Sequence, residues 1–169
     1  MNGVGGNLAA IQASRISTYL HSRGKPGLYE PDYMKNESLC DCSTFSSFFK
    51  IDTKNPHQVS ALVLWILTIP GHLVVLLCYY IAATVFQSGH TTQTPLFVIV
   101  YMITAIIQVG VLLKLTLKVT HKLWKWGDDP DNSAIPYLTA FGDLIGQVLL
   151  FLAFNLLFLL GDRDEDVGE

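Results

Sequence analysis

The chain has 169 residues, half of them hydrophobic, and its 11 Lys and Arg against 14 Asp and Glu leave a net charge of −3. Its basic residues sit beside apolar segments and form no broad patch, so no nucleic acid partner is expected. No Asp, Glu, Lys or Arg occurs between Lys54 and Lys114, a gap that excludes an ordinary soluble domain and indicates an all-α, polytopic membrane helix bundle.

The opening is rich in glycine, with Gly3, Gly5 and Gly6 ahead of Asn7, and lacks the basic start and apolar block of a secretory leader. Leu8 to Leu20 then offers a short helical pattern with Arg15 free to face water, too short by itself to cross a bilayer. Residues 1–20 are therefore read as a partial helix and residues 21–58 as a polar loop, dominated by Gly, Pro, Ser, Asn and mixed charges. Cys40 and Cys42 in that loop lack the spacing and second ligand pair of a zinc site and are expected to be reduced thiols.

Three apolar stretches follow, Val59 to Phe86, Leu96 to Leu113 with its continuation, and Ile135 to Leu160. Each supplies the roughly 20 residues that a hydrocarbon core of about 30 Å requires. The expected fold is thus three full transmembrane helices within residues 59–161, preceded by the partial one. Pro70 and Gly71 interrupt the first span and predict a kink, which more often serves packing than an ion path. His72 beside them reads as a neutral histidine bonded within the bundle.

The connection after the second span carries Lys114, Lys118, Lys122 and Lys125, whereas Gln87 to Thr94 carries no Lys or Arg. The lysine-rich connection is expected in the cytoplasm, together with the loop 21–58, and the acidic tail 162–169 outside. Trp124 and Trp126 fit an interfacial anchor.

Asp143 is the only acidic residue within the three apolar stretches. A carboxylate at mid-membrane costs roughly 2.5–3.5 kcal/mol on insertion scales and usually faces a bundle interior, a partner or water. At about 100° per residue, Pro136, Thr139, Ala140, Gly146, Gln147, Leu150 and Phe154 lie within about 60° of it. That stripe reads as a pore wall for a hard cation. Oxygen ligands without a cluster of His and Cys favour magnesium, which keeps most of its water and needs one or two carboxylates. Asp131, with Asp128 and Asp129 at the mouth of the last span, is a weaker candidate for gathering cations. No nucleophile motif or phosphate-cradling loop is present, so neither enzyme activity nor a cofactor is expected.

Several strings resemble solute carrier family 41, the eukaryotic relatives of MgtE-type magnesium transporters. Asn2-Gly-Val-Gly-Gly-Asn-Leu-Ala-Ala-Ile-Gln-Ala-Ser-Arg15 resembles the second-helix motif of that family, and Ile69-Pro-Gly-His-Leu73 and Ser88-Gly-His-Thr91 resemble later segments. Asp129-Pro-Asp131, Ile135-Pro-Tyr-Leu-Thr-Ala-Phe-Gly-Asp-Leu-Ile-Gly146 and Gly161-Asp-Arg-Asp164 extend the likeness over nearly the whole chain.

The resemblance implies a pore between helices in which Asp143 recognises a hydrated magnesium ion, with Asn7 and Thr139 beside its path and Gln147 a weaker contributor. It implies that residues 1–20 are part of a second helix, that residues 59–161 complete an MgtE-like module, and that the other half of the pore is a missing first module or another copy. The plasma membrane is the implied location, and the lipid bilayer and divalent cations are the implied partners. The alternative expectation is a shortened, non-transporting membrane subunit that modulates a full-length transporter.

Overall fold

A computed structural model describes residues 1–27, 56–86 and 94–161. Cys40, Cys42, the sequence around Asn36, Ser88 to Thr91 and the acidic tail lie outside the described residues. Among the described residues there are four helices: α1 Asn2–Arg23, α2 Pro56–Phe86, α3 Pro95–Trp126 and α4 Pro130–Leu159. Three of them are long and apolar enough to cross a membrane, over Val59–Val85, Pro95–Trp126 and Pro130–Leu159, in agreement with the three stretches read from the sequence.

The helix starts follow local chemistry. Thr94 caps α3 by accepting a hydrogen bond from the Phe97 amide at 3.1 Å, with Pro95 in the first turn where its missing N–H costs nothing. Asp129 caps α4 in the same way, accepting from the Asp131 amide at 3.1 Å ahead of Pro130. Between them Gly127 ends α3 at φ 84, a left-handed conformation that glycine adopts without steric cost. Gly27, at φ 79, lies against it: a Cβ on Gly27 would come within 3.3 Å of the Gly127 Cα. The amides of Gly27 and Gly127 both donate to the Trp124 carbonyl, at 3.0 and 3.1 Å, so the segment leaving α1 is pinned to the α3–α4 turn.

The helix α1 differs from its sequence reading. It begins at Asn2, extends to Arg23 and is 22 residues long, about 33 Å at 1.5 Å per residue and so as long as a bilayer core is thick. Three glycines argue against helix on propensity alone. Packing reverses that: Gly5 lies against Leu112, Val109 and Gln108, and a side chain there would hold the helices apart. With Ala9 and Ala13 fully or almost fully buried, α1 presents a narrow edge that sinks between its neighbours.

Contacts give the topology. Gln12 meets Ser60 and Val4 meets Gly71, so α1 and α2 are antiparallel. Trp65 donates to the Ile106 carbonyl at 3.1 Å while His72 meets Tyr101, so α2 and α3 are antiparallel as well. Leu8 packs with Val109 and Leu113, and Leu20 with Trp124, which makes α1 and α3 parallel. Ala13 packs with Leu123, Ala134 and Leu138, and His21 reaches Asp129, so α4 returns antiparallel to both. Both basic segments, Arg23 with Lys25 and Lys122 with Lys125, thereby come to one end of the bundle.

The helix α2 runs through Pro70 without a break. Pro70 is exposed beside Ile66, Leu67 and Ile69 on the outward apolar face. His72 points inward, fully buried, and its Nδ1 donates to the Thr68 carbonyl at 2.9 Å, as the sequence reading of a bonded histidine expects.

Candidate ion site

The outer surfaces of the bundle are of two chemical kinds. On α2 the exposed side chains include Val63, Ile66, Leu67, Leu73, Val74, Leu77 and Ile81, and on α3 Ile99, Ile103, Ile107 and Val111. Those are surfaces for lipid. On α1 the exposed residues are mainly polar, Asn7, Ser14, Arg15 and Thr18 with Ile11 among them, while α4 exposes one apolar side, with Phe141, Leu144 and Val148, and one side with Thr139, Ala140, Asp143 and Gln147.

The two polar faces adjoin. Asn2 on α1 touches the Asp143–Gly146 turn of α4, while Gly5 and Gly142 both face Leu112 of α3. Counting about 100° per residue, Asn7 lies about 140° from Asn2 around α1 and Asp143 about 60° from Gly146 around α4, each rotated away from α3. The antiparallel register, Asn2 beside Gly146 and Ala13 beside Ala134 and Leu138, sets Asn7 at the level of Gly142 and Asp143. Asn7, Thr139, Asp143 and Gln147 therefore border one open side of the α1–α4 pair. Thr139 donates its hydroxyl to the Ile135 carbonyl at 3.0 Å, which leaves its oxygen lone pairs for an incoming donor.

The stripe predicted around Asp143 divides in two. Gly146 turns inward, where a Cβ would collide with Asn2 Oδ1 and lie 2.5 Å from Gln108 Nε2. The close approach that glycine permits is made by two amide side chains. Gln108 is fully buried; its Nε2 donates to Asn2 Oδ1 at 3.2 Å and to the Gly142 carbonyl at 3.1 Å, and Asn2 Nδ2 donates to the Asp143 carbonyl at 3.4 Å. Among the described residues Gln108 Oε1 is buried without a hydrogen-bond partner, an arrangement that costs about 1–3 kcal/mol for a group of this kind. Sequence reading passed over Gln108 and the side chain of Asn2. The signal was available in one case, since an amide in the middle of an apolar span is as conspicuous as a carboxylate.

Asp131 stands apart. It is about 18 Å along α4 from Asp143 at 1.5 Å per residue, at the basic end of the bundle. His21, Asp129 and Asp131 offer three ligand-type atoms within 4.8 Å of one another. Asp129 is nonetheless occupied: its Oδ1 lies 3.1 Å from His21 Nε2 and accepts from the Asp131 amide, and its Oδ2 accepts from Asn132 Nδ2 at 3.4 Å. The positive end of the α4 dipole also opposes a cation there. These contacts hold Asp129 below the usual carboxylate range, the bond with His21 contributing most and the Asp131 amide next. The cluster is a latch between the end of α1 and the start of α4.

The sequence has counterparts among known proteins. Residues 1–153 match the family model described as "MgtE: Divalent cation transporter". The chain belongs to the MgtE family. It is also similar to solute carrier family 41 member 2 of Mus musculus, 48% identical over 169 residues that cover 100% of this chain and 27% of the mouse protein. The Xenopus laevis member 2 is 46% identical over the same 169 residues, 28% of its length. Member 3 of Rattus norvegicus is 44% identical over 161 residues, 95% of this chain and 32% of the rat protein. This MgtE chain thus spans about a quarter to a third of the curated relatives it matches. No solved structure matches it.

Proposed function

We propose that this chain forms one side of a path for divalent cations, magnesium foremost, in which Asp143 is the charged group that meets the ion. The observation that carries the reading is the position of Asp143 on a polar face that the described residues leave open, within an otherwise apolar helix. Facing lipid, that carboxylate costs roughly 2.5–3.5 kcal/mol, so the open side is a place for water or protein. Membership of a family described as divalent cation transporters supports water and ion there.

Magnesium usually keeps several waters and is held by one or two carboxylates. Asp143 offsets the charge, and the oxygens of Asn7 and Thr139 accept hydrogen bonds from the ion's water shell. Gln147 lies one turn further along and contributes less; Asp131, at the basic end about 18 Å away along α4, does not touch the same ion. The facing wall comes from an MgtE-like first module or another copy, in the plasma membrane, with the C-terminal tail outside. No covalent step and no cofactor enter this reading.

The test is magnesium uptake by the full-length protein, normalised to surface amount. Asp143→Asn keeps size and an acceptor oxygen but removes the charge, and uptake should fall at least about tenfold with insertion intact. Asp143→Glu shifts the charge by one methylene and should retain partial uptake with altered selectivity. Leu149→Ala is the control. Near-normal uptake by Asp143→Asn would sink the assignment. The same open face also suits the second reading, a non-transporting subunit that docks on a transporter. Magnesium flux through the purified chain in liposomes separates the two.

A further inference from the structure

We propose that Gln108 is a positioning residue for Asp143, its buried amide acting with Asn2 to set the rotation and height of the α4 turn that carries the carboxylate. The inference rests on Asp143 being the ion site. Two consecutive carbonyls of α4, those of Gly142 and Asp143, receive side-chain donors from two other helices: Gln108 Nε2 from α3 at 3.1 Å and Asn2 Nδ2 from α1 at 3.4 Å. Gln108 Nε2 also holds Asn2 Oδ1 at 3.2 Å, closing a three-helix network.

Apolar packing between membrane helices tolerates small rotations, whereas a donor aimed at one carbonyl does not. A slip of α4 by one residue turns Asp143 through about 100° and moves it about 1.5 Å, away from the open side. A spacer alone would not need an amide at position 108, since methionine fills the same length without leaving Oε1 unpartnered in the interior. What the amide adds is direction. The small residues comply: Gly142 meets Leu112 Cδ1 at 3.3 Å from a would-be Cβ, and a side chain at Gly146 would displace Asn2 and Gln108 outright.

The experiment compares Gln108→Met, Asp143→Asn and the unaltered full-length protein, reconstituted in liposomes. Gln108→Met should insert in normal amount, raise the magnesium concentration for half-maximal uptake about fivefold or more, and lower the preference for magnesium over calcium. A readout independent of transport is the labelling of Asp143→Cys by a water-soluble methanethiosulfonate, with Cys40, Cys42 and Cys78 changed to Ser. Adding Gln108→Met should change that labelling rate at least about threefold. Unchanged uptake parameters and unchanged labelling in the Gln108→Met proteins, beside a transport-dead Asp143→Asn, would overturn the positioning role alone. Full transport by Asp143→Asn would overturn the ion site, and the positioning role with it.

Discussion

Gly146 bears the tightest steric demand on α4, and its neighbours show why the residue scale matters here. A methyl group at Gly146 must push Asn2 aside, which breaks the bonds Asn2 makes to Gln108 and to the Asp143 carbonyl. Gly146→Ala should therefore destabilise the protein in detergent by about 1–3 kcal/mol, read as a lower midpoint of thermal unfolding. Gly3→Ala meets nothing within 4 Å and should be neutral or slightly stabilising, because alanine favours helix over glycine. Equal midpoints for the two variants would contradict the packing described. The single letter Asp143 was conspicuous in the sequence because a carboxylate is costly in hydrocarbon wherever it lies. The inward turn of Gly146 was not, since an angle of about 60° between two residues does not say which of them faces a neighbour.

At the scale of elements, α4 is held at two levels by α1: by Asn2 at the Asp143 turn and by His21 at the N-cap. Asp129 is depressed below the ordinary carboxylate range, so its contribution to stability is full above that range and is lost as pH falls through its lowered value. Asp129 is partly exposed, and solvent screening keeps the charge contribution small. Asp129→Ala, which also removes the cap, should cost about 1 kcal/mol, and Asp129→Asn, which retains a cap oxygen, less. The gap in unfolding midpoint between the unaltered protein and Asp129→Asn should close below about pH 4. A gap that widens on acidification would contradict the latch. The three apolar helices were evident from composition because lipid-facing helices must be apolar throughout. The extent of α1 was not: its packed edge uses Gly5, Ala9 and Ala13 where a lipid-facing helix would use leucine, and its other side is polar and exposed.

At the scale of the molecule, one end of the bundle gathers Arg23, Lys25, Lys122, Lys125 and the exposed Trp126; Trp124, expected from the sequence beside it as an interfacial anchor, is instead buried against Ile16 and Leu20, and its carbonyl ties the two loops together. A cytoplasmic position for that end predicts that the sequon at Asn36 stays free of glycan in a eukaryotic cell and that a label on the C-terminal tail is accessible from outside. Glycan on Asn36 would reverse the orientation. By itself the sequence determined that the chain is a membrane helix bundle, where its three apolar spans lie and that Asp143 is their one acidic residue, because hydrophobicity and charge are properties of the residues and need no neighbours. Only the tertiary structure decided that α1 runs from Asn2 to Arg23 and packs one edge between its neighbours, that Gln108 and Asn2 grip the Asp143 turn from behind, and that the polar sides of α1 and α4 open together. Those facts depend on the rotation of each helix about its own axis, which is set by which side chains interlock across helices rather than by the order of residues along one.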